Sequence, residues 1–197
     1  MELIFATNNK NKVEEVQSIV PPSIKIISLQ EAGLDIDIPE PHSTLAENAA
    51  EKGRTIFAFT GKNCFGEDTG LEVTALNGEP GVYSARYAGG EKSFENNIKK
   101  LLQNLKPYGD RSARFRTVIF LILDNNEYFF EGICSGSINF GPIGTEGFGY
   151  DSIFIPDGSD KTFGQMSLTE KNKYSHRKKA MDKLVAFLNQ LILKKQS

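Results

Sequence analysis

Glu2-Leu3-Ile4-Phe5-Ala6-Thr7-Asn8-Asn9-Lys10-Asn11-Lys12-Val13-Glu14-Glu15-Val16 changes its hydrophobic pattern partway along. Residues 2 to 6 are a short, mainly apolar run, and the polar stretch Thr7 to Lys12 separates it from Val13, Val16 and Val20, spaced as one helix face. The reading is strand, loop, helix.

Outward from this stretch, Ile24 to Leu29 offers a second strand, and Glu31 to Thr44, with Gly33, Pro39 and Pro41, reads as a loop. Thr44-Leu-Ala-Glu47 is a capping-box signature that opens a second helix running to about Phe59. Cys64 to Gly66 reads as a brief strand delivering Glu67-Asp68 to its end, with another strand from Leu71 to Leu76 and breaks at Asn77-Gly78 and Pro80-Gly81. Phe94 to Leu105 is amphipathic through Ile98, Leu101, Leu102 and Leu105. Arg114 to Leu123 and Tyr128 to Ile133 read as a hairpin around Asp124-Asn-Asn-Glu127. Ser152 to Ile155 is short and apolar, and Ser175 is placed to cap a final helix packed through Met181, Leu184, Leu188 and Leu191. Helices mixed with sequential strands and a hairpin predict α/β or α+β with a mixed sheet.

With 197 residues, 39% of them hydrophobic and 24% charged, the chain suits one globular domain, 1–197, with a substantial core. A net charge of -2 argues against a nucleic-acid partner, which needs a basic field to neutralise phosphates. Cys64 and Cys134 lie far apart in apolar stretches and read as buried thiols of a reducing compartment, so the cytoplasm is expected. No export signal and no membrane-spanning run is expected from the pattern.

Four stretches can carry chemistry. Thr7, Asn8, Asn9, Lys10, Asn11 and Lys12 lie between a strand and a helix start, where free backbone N–H groups, the helix dipole and lysine charge favour phosphate; an ordinary polar turn would also account for them. Gly66-Glu67-Asp68-Thr69-Gly70 brings two carboxylates and a hydroxyl together after a strand, the hard oxygen donors that suit Mg²⁺, with Asp68 also able to deprotonate water. An acidic turn is the competing reading there. Glu40 offers a further metal oxygen, although an exposed glutamate is ordinarily just solvated. Gly147-Phe148-Gly149-Tyr150-Asp151 places rings and a carboxylate where a purine base could stack and hydrogen-bond, against plain core packing. Lys171 with Ser175-His176-Arg177 is a basic group at a helix start, suited to phosphate or a base carbonyl, or else a solvated face. Neither cysteine sits in a basic setting that would activate it, and two histidines leave little for a His/Cys metal centre.

In this order the stretches resemble the inosine triphosphate pyrophosphatase family, the Ham1-like pyrophosphatases of non-standard purine nucleoside triphosphates. The match is carried by Ala6-Thr-Asn-Asn-Lys-Asn-Lys12, Thr44 with Glu47-Asn48-Ala49 and Lys52, Glu67-Asp-Thr-Gly-Leu71, Pro80-Gly-Val-Tyr-Ser-Ala-Arg86, Gly147-Phe-Gly-Tyr-Asp151, and Glu170-Lys171 through Ser175-His-Arg177. Glu67 and Thr69 stand where aspartate and serine are usual, changes that keep a carboxylate and a hydroxyl. Glu146 replaces a frequent glycine and Ser152 a frequent proline.

The resemblance implies a long central mixed β-sheet with two α/β lobes around a nucleotide cleft, in a homodimer. It implies Mg²⁺-dependent hydrolysis of ITP, dITP and XTP to the monophosphate and pyrophosphate, which removes deaminated purines from the nucleotide pool. Thr7 to Lys12 and Lys52 would then face the triphosphate, Asp68 would be metal ligand and proton acceptor, and Glu40 the second metal ligand. Thr69 would contact substrate, Phe148, Gly149, Tyr150 and Asp151 would hold the base, and Lys171, His176 and Arg177 would complete the contacts. The alternatives are a Maf-like pyrophosphatase, whose Ser-Pro-Arg-Arg loop is absent, and a nucleotide sensor without turnover, which would have no need of Asp68, Glu67, Lys12 and Lys52.

Overall fold

The computed structural model describes residues 1–89 and 93–195. Among these residues are seven strands, β1 (Glu2–Phe5), β2 (Lys25–Ile27), β3 (Cys64–Val73), β4 (Pro80–Gly81), β5 (Ser112–Leu123), β6 (Asn126–Ile138) and β7 (Phe154–Pro156), and five α-helices, α1 (Lys10–Gln17), α2 (Leu45–Thr60), α3 (Phe94–Leu105), α4 (Leu168–Lys171) and α5 (His176–Lys195). The sheet order is β2-β1-β3-β5-β6-β7, with β4 paired to β3 off this path. β1 runs parallel to β2 and β3, because α1 and α2 supply the crossovers that parallel neighbours require, whereas β3–β4 and β6–β7 are antiparallel. The sheet is mixed, as the sequence predicts. Among the described residues no helix is long and apolar enough to cross a membrane.

The chain divides into two compact units, each assembled from separate segments. The first comprises Met1–Asp68, Thr117–Gly132 and Arg177–Ser197, the second Thr69–Arg116 and Ile133–His176. Each has its own core. In the first, Leu3, Phe5 and Phe65 pack with Ile119 and Leu121 and with Met181, Leu184 and Leu188 of α5, and the Phe5 and Phe65 rings stack at 4.3 Å. In the second, Leu71 and Val73 meet Leu101 and Leu105 of α3 and the ring cluster Phe115, Phe154 and Phe163.

The largest departure from the sequence reading is β3. One ten-residue strand replaces the two short ones expected, Glu67 and Asp68 sit in its middle, and Thr74–Leu76 is a 3-10 turn instead of strand. Gly66 and Gly70, at the gap between the two expected strands, are points of close approach. A Cβ on Gly66 would lie 2.1 Å from the Ala49 carbonyl oxygen of α2, and one on Gly70 would lie 2.6 Å from the Gly81 oxygen. Gly66→Ala is therefore expected to force α2 away from β3 and to destabilise the protein by about 1–3 kcal/mol, measured by urea unfolding. A loss under about 0.5 kcal/mol, the scale of an ordinary surface change, would show that the contact yields easily.

Elsewhere the differences are small. The hairpin turn is two residues, Asp124 and Asn125, both at positive φ (51° and 65°), the twist that matches a tight hairpin. At the start of α2, Thr44 accepts from the Glu47 N–H at 3.2 Å, but the Glu47 carboxylate takes the Thr44 hydroxyl at 2.7 Å.

Candidate active site

In the first unit a set of ionised side chains is buried around β3. Neighbouring residues on a strand point to opposite faces, so Glu67 and Asp68 hold different partners. Glu67, 1% exposed, receives the Arg177 guanidinium through Nε at 2.8 Å and Nη2 at 3.0 Å, while Lys12 Nζ lies 3.2 Å away. Nη1 of Arg177 goes to Glu15, also buried, on α1. Burial pulls the Arg177 guanidinium down, but Glu67 and Glu15 outweigh it and hold it charged above its ordinary range.

Asp68 lies against α2. Lys52 Nζ is 3.2 Å from its Oδ1 and Asn48 Nδ2 is 3.2 Å from its Oδ2. Lys52 also donates to the Glu67 carbonyl at 3.1 Å and meets Glu40 Oε1 at 2.5 Å. Burial pushes the Asp68 carboxyl above the usual carboxylate range, with Lys52 and Lys12 pulling it back and Glu40 adding to the rise. Burial lowers the Lys52 ammonium, yet Asp68 and Glu40 together keep it above its ordinary value.

The phosphate-loop residues are all in this unit, with one correction to the expected donors. Asn9 caps α1 with its own side chain, accepting from the N–H groups of Asn11 at 3.0 Å and Lys12 at 3.3 Å, and the Thr7 hydroxyl takes the Asn9 N–H at 3.2 Å. Three backbone donors are thus satisfied internally. The Asn8 amide ties the segment to the Ile36 carbonyl at 2.8 Å. Positive charge at this end comes from the ammonium groups of Lys10, which is exposed, and Lys12, whose side chain is 14% exposed.

The second unit holds the aromatic stretch. Asp151, 3% exposed, accepts from the Phe148 N–H at 2.8 Å and from Lys171 Nζ at 2.6 Å. The Lys171 ammonium lies over the Phe148 ring at 5.4 Å and the Phe163 ring at 5.2 Å. Gly149 is half-buried beside Phe148 at φ 63°, and Thr69 is half-buried in β3. Tyr150 packs in the core and donates its hydroxyl to the Ser84 carbonyl at 2.9 Å. His176 is buried and stacked on Phe115 at 4.6 Å. Lys171, His176 and Arg177 are therefore not a solvated basic face. The first two belong to this unit and Arg177 to the other.

Glu15 has no part in the sequence reading, and Asn48 appears there only among the residues that carry the resemblance, with no role assigned. The available signal was spacing: Glu15 lies three residues after Lys12 and Asn48 four before Lys52, each on the same helix face as a lysine the sequence reading singles out.

Glu40 and Asp68 meeting one ammonium form a seat for a cation between hard oxygens, and Glu67, already clamped, is the less suited of the two glutamates for a metal. Among the described residues, no group of three or more His, Cys, Asp or Glu side chains is placed to hold a metal ion. A pair of carboxylates is nonetheless what Mg²⁺ uses when substrate phosphates and waters complete its shell.

A profile of the Ham1 family matches residues 3–187. A dITP/XTP pyrophosphatase of Christiangramia forsetii is 50% identical over 189 residues, 96% of this chain and 100% of the relative. The Staphylococcus aureus Ham1 protein superposes with a TM-score of 0.87 at 43% identity, over 96% of this chain and 99% of that one. A Ham1 protein of Coxiella burnetii does so with 0.88 at 36% identity, over 96% and 99%.

Proposed function

Because the chain belongs to the Ham1 family, we propose that it is a Mg²⁺-dependent pyrophosphatase, hydrolysing ITP, dITP and XTP to the monophosphate and pyrophosphate. The carrying observation is Asp68, a buried carboxylate sharing the Lys52 ammonium with Glu40. Mg²⁺ held by Asp68 and Glu40 would neutralise phosphate charge at this position.

Each side chain then has a task. Asp68 accepts the proton of the water that attacks the α-phosphorus. Lys10 and Lys12 hold the phosphates, and Lys52 counters the charge that moves onto pyrophosphate. Arg177 fixes Glu67, and Glu67 in turn aims Lys12. Positioning and preorganised charge supply most of the acceleration in such a reaction. On the second unit, the Phe148 ring is offered to a base, with Lys171 or His176 donating to its 6-oxo group. Adenine presents an amino donor there and an unprotonated N1, so a buried donor is left unmatched by ATP.

Purified protein with Mg²⁺ is expected to convert ITP to IMP and pyrophosphate, with ATP at least about 100-fold slower because a buried hydrogen-bonding group is left without its partner. Chromatography of the products checks this. Release of single orthophosphates, or equal rates on ATP, overturns the reading.

A further inference from the structure

The Asn48 side chain is fully buried and its amide is used on both ends. Oδ1 accepts from the His42 N–H at 3.0 Å, and Nδ2 donates to the His42 carbonyl at 3.3 Å. The amide thus brackets one backbone residue as a paired strand would. Its second N–H reaches across to Asp68 Oδ2 at 3.2 Å.

Asn48 and Lys52 are four apart on α2, so they share a face and stand one above the other. Each takes one Asp68 oxygen, Asn48 the Oδ2 and Lys52 the Oδ1. Lys52 returns to Glu40, two residues before His42 in a segment stiffened by Pro39 and Pro41. The result is a closed loop of contacts, from Asp68 through Asn48 to the 40–42 segment and through Lys52 back to Asp68. A carboxylate oxygen has two lone pairs, so engaging one on each side fixes the plane of the group and aims the rest. The donor on Oδ2 is neutral. A third cation there would cancel charge that Asp68 needs, whereas an amide orients the carboxylate and leaves that charge in place.

We propose that Asn48 is the positioning residue of this reaction: it locks the Asp68 carboxylate and the backbone carrying Glu40 into one geometry. The proposal rests on the role given to Asp68 above.

Asn48→Ser retains a small hydroxyl, and Asn48→Asp keeps the shape and the acceptor for His42 but removes both donors. With ITP and saturating Mg²⁺, both variants are expected to lose about 100-fold in kcat, the low end of what an oriented general base contributes, with KM changed less than threefold because Thr7 to Lys12 are untouched. In an Asp68→Asn background, adding Asn48→Ser is expected to lower the residual rate less than threefold, where independent losses would multiply. Amide hydrogen exchange at His42 reads the lock without any substrate, and it should accelerate at least tenfold in Asn48→Ser. A kcat within threefold of the parent, a full multiplicative loss in the double variant, or unchanged His42 exchange each overturn the assignment. If either variant fails to fold, the other carries the kinetic test. A parent protein inactive on ITP sinks the function instead, and His42 exchange still decides whether Asn48 holds the segment.

Discussion

Asp68→Asn is expected to lower the turnover of ITP by about 10³-fold, within the range that a positioned proton acceptor contributes, while leaving the protein as stable as before or slightly more so. Both halves of the expectation come from the burial of this group. The carboxylate is 5% exposed and burial pushes its carboxyl upward, so the ionised form is held in the folded state at a cost. A folded-state carboxyl raised above its unfolded value opposes folding at any pH where it is ionised, and the neutral amide removes that opposition. The amide also cannot take a proton from water, and because its NH₂ meets either Lys52 or Asn48, both donors, that contact offsets part of the stability gained. Steady-state rates with a thermal unfolding curve check the prediction. Near-normal turnover would remove Asp68 from the reaction, and a collapse in stability parallel to the lost rate would reduce it to a structural residue.

Arg177→Met is expected to cost about 3–5 kcal/mol of stability, the penalty for removing one partner of a buried ion pair and leaving the other charge uncompensated. Here two carboxylates lose their partner at once. Glu67 would keep only Lys12 of its cations described above, and Glu15 would lose the guanidinium it shares. Domain stabilities are typically 5–15 kcal/mol, so the variant should unfold at much lower urea. Arg177→Lys should recover part of the loss, since it restores charge without the two-pronged geometry. The next residue is the control: Lys178 pairs with Asp182 at the helix surface, and Lys178→Met should change stability by less than about 0.5 kcal/mol. A loss under 1 kcal/mol at Arg177, on the scale of an exposed pair, would mean that Glu15 and Glu67 take up protons when it is removed.

What the sequence makes legible follows from which physical signals are local. α3 is legible to the residue because Ile98, Leu101, Leu102 and Leu105 make one apolar stripe, and the structure adds Ser93 as its cap. The passage from β1 into α1 is legible because the hydrophobic period changes there, but Lys10, Asn11 and Lys12, read as loop, form the first turn of the helix. β3 is not legible, because Gly66 and Gly70 look the same in sequence whether they turn the chain or admit a neighbour, and the neighbours, Ala49 and Gly81, lie elsewhere. The acidic pair Glu67-Asp68 reads as chemistry, but its partners do not show in the sequence. Nothing local shows that Arg177, 110 residues on, belongs to Glu67, or that Glu15 shares it. Nor does anything local show that the Tyr150 hydroxyl, beside glycines, reaches the Ser84 carbonyl.

Neither compact unit is a contiguous piece of chain, and the first is closed by α5, which begins at His176. During synthesis Glu67 therefore leaves the ribosome 110 residues before the guanidinium that neutralises it. Until then a carboxylate destined for an apolar interior has no Arg177, and burying it early is unfavourable. The first unit's core is therefore expected to stay incomplete until α5, with Met181, Leu184 and Leu188, has been made, and a chain cut short before Arg177 is left with that core unfinished.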